Sequence, residues 1–394
     1  MNLPYRLAIL ASHPIQYQTP LFRALAARSE IDLTVLFCSD WGLKPYRDDG
    51  FGQELKWNIP LLDGYRSEVL ANKSPRPNLS HFGGLINPGI VRRLRRGNFD
   101  ALWVHGWARA TDWLAMLTVF ASGIPVLLRG ETNLLPTLPR PKEKLKKAIL
   151  IWLFKRVSGF LAIGRYNSEF YKAYGVQKEK VFLVPYAVDN DFFFARGEEL
   201  LPKKKELKIK LGIPCDLPVI LFTGKLLEAK RPLDLLKAFA VVSKAARAAL
   251  VYVGDGPLRP RLEAYVHEFR IQHVYFMGFQ NQTELPQFYA IADVFVLPSS
   301  FDPWGLVVNE AMCFGLPVIV SDQVGAGGDL VQQGLNGFVY RAGDVSLLAE
   351  SILEVLADPF RRESMGEMSK NIVRQWSYSE DVKGILSCLQ WVFK

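Results

Sequence analysis

Short apolar runs rich in β-branched residues recur along this sequence, and stretches of helical character separate them. In the first half they are Arg6 to Ala11, Ile31 to Phe37, Asp100 to His105, Pro125 to Arg129 and Gly159 to Ile163. Helices are expected from about Thr19 to Arg28 and from Trp113 to Phe120. In the second half the runs are Val219 to Thr223, Ala249 to Val253, Val274 to Phe279, Ala292 to Leu297 and Pro317 to Val320. Strands that alternate with helices cannot pair as hairpins. They pair in parallel, and their sheets carry helices on both faces. The fold class is therefore α/β.

The alternation pauses once. Glu198 to Lys210 carries Pro202-Lys203-Lys204-Lys205, a charged run with no apolar period at its start, and is the best boundary in the chain. The expected domains are 1–197 and 214–375 with a linker at 198–213. A helical, aromatic segment from about 376 to 394 completes the first domain. With 394 residues, 49% of them hydrophobic, the chain can bury two cores of ordinary size. Its longest apolar stretch, Trp113 to Leu128, is broken by Ser122, Gly123 and Pro125, short of the roughly 18 residues a membrane span needs. Tyr5 to Ala11 reads as a strand and not as a secretory leader. The four cysteines lie far apart without a C-x-x-C pair, which fits a reducing cytoplasm and neither a zinc site nor a disulfide framework. The net charge of +9 suits an anionic partner without choosing between membrane, nucleic acid and phosphorylated ligand.

The stretch richest in chemistry is Ser299-Ser300-Phe301-Asp302-Pro303-Trp304-Gly305-Leu306-Val307-Val308-Asn309-Glu310. It follows one strand, and from Gly305 it opens a helix that Gly315 and Pro317 end. Ligands of open α/β sheets bind where strand C-termini hand over to helix N-termini, and free amides there suit a phosphate. Asp302 and Glu310 place carboxylates on either side of the turn. A pyrophosphate on the amides of Gly305, Leu306 and Val307, with carboxylates on nearby hydroxyls, describes a nucleotide-sugar site. Lys225 and Lys230 bracket the turn after another strand, so both ammonium groups can reach one polyphosphate. The loop after the first strand, Ser12-His13-Pro14-Ile15-Gln16-Tyr17, lacks G-x-G-x-x-G, which argues against a dinucleotide-dependent dehydrogenase.

The pattern acidic-Pro-aromatic-Gly-Leu-Val-x-x-Glu-Ala-Met resembles the E-x7-E signature of family-4 retaining glycosyltransferases. Asp302 stands where that family usually has Glu. Further likenesses follow in order: His13-Pro14-Ile15-Gln16-Tyr17, His105-Gly106, Val184 to Asp189, Gly224-Lys225-Leu226, and Gly254-Asp255-Gly256-Pro257. Lys225 replaces the family's usual Arg, keeping the charge without the bidentate fork. The resemblance covers nearly the whole chain and is strongest from Val219 to Val339. It implies a GT-B fold, two Rossmann-like domains with parallel sheets facing a central cleft, and a final helix that crosses back onto the first domain.

It also implies roles. The donor would be held by Gly224, Gly254, Gly278, Phe279 near the base, Gly305, Leu306, Val307 and Glu310 on the ribose hydroxyls. The catalytic set would be His105 beside the transferred sugar, Lys225 and Lys230 on the departing diphosphate, and Asp302 on the sugar hydroxyls. His13, Arg129 and Glu131 would face the acceptor. Bland alternatives stand beside these: His13 as a turn residue, His105 as a buried and satisfied histidine, Arg129 and Glu131 as a mutual pair. The expected reaction moves a sugar from a UDP- or GDP-sugar to a hydroxyl on a sugar, a lipid-linked or another acceptor, in cell-surface polysaccharide or glycolipid synthesis. Neither metal nor cofactor is expected, and no nucleic acid.

Lys142 to Arg156 sets five lysines and an arginine around an apolar middle with Trp152, and Arg92-Arg93-Leu94-Arg95-Arg96 is a second basic cluster. An amphipathic basic helix with an aromatic anchor can lie on an anionic membrane, here its cytoplasmic face. A GT-B epimerase or phosphorylase, and a non-catalytic basic protein binding membrane or nucleic acid, remain the rival readings.

Overall fold

The computed structural model describes residues 3–48, 50–135 and 143–394. Lys142, the first lysine of the basic segment, lies outside them. The chain divides into two compact units, one of residues 1–46, 59–186 and 378–394, the other of residues 47–58 and 187–377.

The strands, in chain order, are β1 (Tyr5–Ala11), β2 (Ile31–Phe37), β3 (Tyr46–Asp48), β4 (Gln53–Leu55), β5 (Ser67–Val69), β6 (Ala101–His105), β7 (Val126–Arg129), β8 (Gly159–Ala162) and β9 (Val181–Leu183). They continue with β10 (Val219–Thr223), β11 (Ala249–Val253), β12 (Val274–Phe276), β13 (Val294–Leu297), β14 (Val318–Ser321) and β15 (Gly337–Tyr340). The first unit holds a seven-stranded sheet in the order β5-β2-β1-β6-β7-β8-β9, and every pair in it is parallel. The second holds six strands, β12-β11-β10-β13-β14-β15, again all parallel. β3 and β4 form a separate two-stranded hairpin.

The central strands of both sheets are buried on both faces, as their unbroken apolar sequences require, while the edge strands β5, β9 and β12 are partly open. In the first unit, Ala8, Leu10, Leu102, Val104 and Leu128 enter one core. Their alternates Leu7, Ile9, Ala101, Trp103 and Leu127 enter the other. The helix Tyr378–Val392 covers this second face with Val382, Ile385, Cys388 and Leu389.

The strand orders fix where ligands can bind. Each sheet grows in one direction from its first strand and then restarts on the other side. That switch lies between β1 and β6 in one unit and between β10 and β13 in the other. The crevice beyond the carboxyl ends at such a switch is the natural ligand site of an open α/β sheet.

Two expected boundaries move. Residues 198–213 are not a free linker: helices Asn190–Leu200 and Lys204–Lys210 belong to the second unit. The lysine-rich run folds because its charges find partners. Lys204 Nζ meets the Ala292 carbonyl at 2.7 Å and Asp293 at 3.0 Å, and buried Lys208 donates to the Leu217 carbonyl at 2.7 Å. Residues 47–58, expected with the first domain, belong to the second unit instead.

Candidate functional site

In the second unit, β10 ends at Thr223 and the chain turns through Gly224, whose amide donates to the Val253 carbonyl at 2.9 Å. Gly254 donates in turn to the Gly278 carbonyl at 2.8 Å, which ties the ends of β10, β11 and β12 together. Only glycine fits at 254: a Cβ there would stand 1.9 Å from the Gly224 carbonyl oxygen. Lys225 and Lys230 emerge from the loop after β10. Ser300 holds that loop against the one after β13, its amide donating to the Ala229 carbonyl at 2.8 Å.

The loop after β13 reaches Gly305 at φ +94°, a conformation that costs other L-residues strain. Gly305 opens the helix Leu306–Cys313, and no side chain caps it. The first amides of an uncapped helix carry partial positive charge and suit an anion. Asp302 and Lys230 form an ion pair at this mouth. The structure thus gathers Lys225, Lys230, Asp302 and the start of the 306–313 helix at the switch point of one sheet. Trp304 is buried, stacks on Trp376 at 5.0 Å and donates from Nε1 to Asn309 Oδ1.

Glu310 is fully buried, and its Oε2 accepts from the Tyr289 hydroxyl at 2.5 Å. Tyr289 also lies 3.1 Å from Thr223 Oγ1. A ribose hydroxyl therefore meets this carboxylate only by joining or displacing Tyr289, a partner that the sequence motif does not announce.

Sequence reasoning also missed residues 47–58. Asp48 binds Lys225 Nζ through both carboxylate oxygens, at 2.8 and 3.0 Å, while its Oδ1 accepts from the Gly50 and Phe51 amides. The Phe51 ring lies 4.9 Å below Lys225 Nζ and meets Phe279 edge-on at 4.9 Å. Asn281 anchors the segment by donating to the Lys56 carbonyl at 2.7 Å. The segment has no apolar period and no motif, so no local signal could have placed it.

In the first unit, His13 follows β1 and His105 ends β6, one on each side of the switch point. His105 stacks on Trp103 at 4.8 Å, and its Nδ1 lies 3.4 Å from Gln18 Nε2. Its Nε2 and Gln18 Oε1 are buried without a partner, so His105 is not the satisfied core histidine of the bland reading. Burial, then Arg129 and Arg109, hold the His105 imidazole well below its ordinary pKa. Burial and Arg109 lower His13 to about 4. Both rings are neutral near pH 7 and can exchange hydrogen bonds with hydroxyls. Arg109 and Gln18 went unnoticed because neither sits in a motif. Asp112, which accepts from the Arg109 amide at 3.0 Å, is pushed up to about 6 by burial.

Arg129 sits deeper than an acceptor-facing residue was expected to. It is buried, pairs with Asp381 of the last helix at 3.4 Å, donates to the Val184 and Pro185 carbonyls, and lies over the rings of Trp103 and Tyr186. These contacts fasten the last helix through Nη2, while Nε is buried without a partner. Glu131 does not pair with it: Oε1 accepts from the Tyr186 hydroxyl at 2.6 Å, and Glu131 itself is exposed.

Among the described residues there is no group of three or more His, Cys, Asp or Glu arranged to hold a metal. Among them, too, no helix is long and apolar enough to cross a membrane.

Two family models match the chain. The one described as Glycosyl transferases group 1 spans residues 203–372, and Glycosyltransferase Family 4 spans 21–192. The 2-deoxystreptamine glucosyltransferase of Streptomyces kanamyceticus is 30% identical over 318 residues, 74% of this chain and 80% of that protein. An uncharacterized glycosyltransferase of Methanocaldococcus jannaschii is 31% identical over 183 residues, 46% of this chain. There the chain spans about half of the relative's length, 47%. Among solved structures, the Anabaena protein HepE in complex with UDP superposes with a TM-score of 0.74 at 18% identity, over 98% of this chain and 99% of that one.

Proposed function

Because the chain belongs to glycosyltransferase family 4 and has the GT-B fold, we propose that it moves a sugar from a nucleoside diphosphate sugar to an acceptor hydroxyl, with retention at the anomeric carbon. The observation that carries this reading is the convergence of Lys225, Lys230, Asp302 and the uncapped helix start at Gly305 on one switch point. The UDP bound to HepE supports a nucleotide donor.

When the bond from the anomeric carbon to the diphosphate breaks, its electron pair goes to the phosphate oxygen. The chief catalytic demand is therefore stabilisation of that leaving group. Lys225, Lys230 and the amides of Leu306 and Val307 supply fixed positive charge for it. Asp302, already beside Lys230, takes sugar hydroxyls, and Glu310 with Tyr289 takes the ribose. Phe279 offers a flat face for the base. His105, held neutral, hydrogen-bonds a hydroxyl of the sugar or acceptor, and His13 and Gln18 line the acceptor side. No resident metal or cofactor enters the scheme. The acceptor belongs to cell-surface polysaccharide or glycolipid synthesis, and the enzyme works at the cytoplasmic membrane surface.

The test is thermal stabilisation by a panel of UDP-, GDP- and ADP-sugars, for wild type and Glu310→Ala. A ligand at 100 times its Kd adds about 2.7 kcal/mol to stability. One sugar nucleotide should stabilise the wild type and not the variant, and free nucleoside diphosphate should appear only with acceptor. Stabilisation by none of them would overturn the reading. Release without acceptor would favour an epimerase or phosphorylase.

A further inference from the structure

The basic segment does not fold with its apolar face hidden. In the helix Glu143–Phe154, Leu150 and Leu153 are buried, whereas Leu145, Ile149 and Trp152 are 63%, 42% and 41% exposed. These three recur at helical spacing and form one stripe. Leu117, on the helix Ala110–Ala121, is 48% exposed. Between the two helices runs an open groove of ≈ 220 Å³ lined by Trp107, Trp113, Leu145, Lys146, Ile149 and Leu150. Trp113 stacks on Trp152 at 6.5 Å, and Arg156 lies 4.0 Å over the Trp152 ring. Monomeric soluble proteins rarely expose contiguous apolar surface ringed by charge without a partner for it.

We propose that this groove receives the hydrocarbon chain of an anionic bilayer lipid. Charge complementarity selects the occupant. Of the charged residues of segment 143–156, Glu143 alone is acidic, and Lys144, Lys146, Lys147, Lys155 and Arg156 are cationic. Lysines can keep their ammonium groups at the phosphate level while their stems lie along apolar surface, and tryptophan prefers the same depth. An apolar protein partner would not need this excess of five cations over one acid.

The groove also bears on the acceptor. Trp107, one of its walls, lies two residues after His105, and the turn between them is pinned by the Gly106 amide donating to the Arg129 carbonyl at 2.7 Å. Trp107 is held in turn through its carbonyl, which accepts from Trp113 Nε1 at 2.9 Å. A chain lying in the groove brings its head group toward the carboxyl ends of β6 and β7, where His105 is. The acceptor is then a hydroxyl on the head group of a membrane lipid. This last step rests on the transferase reading; the lipid site does not.

The experiment uses the full chain and vesicles of phosphatidylcholine with or without 30% phosphatidylglycerol, the latter also with brominated acyl chains. Tight binding is expected only with the anionic lipid, together with quenching of tryptophan fluorescence by the brominated chains. Trp113→Phe/Trp152→Phe should remove most of that quenching. Leu145→Glu/Ile149→Glu should weaken binding at least tenfold without lowering the melting temperature, because both side chains are exposed. Neutralising Lys144, Lys146 and Lys147 to Gln should weaken it on the order of a hundredfold. Binding without quenching, or binding untouched by the glutamates, would overturn the groove and leave surface charge alone. So would groove occupancy by residues of the chain itself, seen as protection of Ile149 from solvent. The sugar-nucleotide panel is read on the same preparations, so failure of lipid binding with donor binding intact refutes only this proposal.

Discussion

If Lys225 holds the donor diphosphate as proposed, Asp48 competes for its ammonium group, and this makes a quantitative prediction. Its two oxygens lie 2.8 and 3.0 Å from Lys225 Nζ, with the two side chains 17% and 35% exposed. Exposed ion pairs contribute about 0.2–1 kcal/mol, and hydrogen bonds to charged groups about 1.5–3 kcal/mol. A pair shielded to this degree falls between, at roughly 1–2 kcal/mol. Donor binding must break that pair or hold Asp48 against a like-charged phosphate. Asp48→Asn removes the competing charge but keeps an amide oxygen able to accept from the Gly50 and Phe51 amides, so the turn survives. Affinity for the nucleoside diphosphate should rise about 5- to 30-fold, since every 1.4 kcal/mol is tenfold. Lys225→Met should do the opposite. Isothermal titration of the full chain with UDP and GDP reads both. Unchanged or weaker binding by Asp48→Asn would refute the reasoning and make Asp48 a support that orients Lys225.

Three further outcomes are expected. Gly305→Ala places a Cβ 2.9 Å from Leu297 Cδ2 at φ +94°, so it should cost roughly 1–3 kcal/mol by denaturant titration and weaken donor binding by displacing the helix start. Arg129→Leu should destabilise by about 1–3 kcal/mol by leaving the Asp381 carboxyl, which burial keeps largely protonated near pH 7, without its partner, and adding Asp381→Leu should recover most of it; loss of transfer at unchanged stability would support an acceptor role for Arg129. The pH dependence follows from His13, which takes up protons less readily folded than unfolded. Between its ordinary 6.5 and about 4, stability rises with pH and is lost as pH falls, by about 3 kcal/mol at most. Asp112 and Asp381, raised by burial to about 6 and about 8, act in the opposite sense. The readout is therefore the difference between wild type and His13→Gln, whose unfolding free energy should fall less on acidification from pH 6.5 to 4.5.

Ten of the fifteen described strands were legible because each is an apolar run in a covered sheet; β3, β4 and β5 are polar three-residue pieces, and β9 and β15 are too short to announce themselves. The turns after β11 and β13 were legible for a related reason: Gly254 and Gly305 do backbone work that no other residue can, so they stand out as letters. What escaped was set by partners distant in sequence. Lys204 and Lys208 look like a solvated linker until Asp293 and the Leu217 carbonyl are brought to them. Arg129 looks like an acceptor residue until Asp381, 252 positions away, closes on it. Tyr289 gives no sign that it will share the Glu310 carboxylate. Asp48 is one acidic residue in an irregular stretch, and nothing short of the folded chain joins it to Lys225.

The last helix has a consequence for how the protein is made. One whole face of the first sheet, with Leu7, Ile9, Val35 and Trp103, is closed by Val382, Ile385, Cys388 and Leu389. During synthesis those strands leave the ribosome early and wait, one side bare, until residues 382–389 have been made. The second unit, complete by residue 377, is finished before the first. A nascent chain stalled before residue 382 would therefore show quality-control factors an open sheet face rather than a ragged tail.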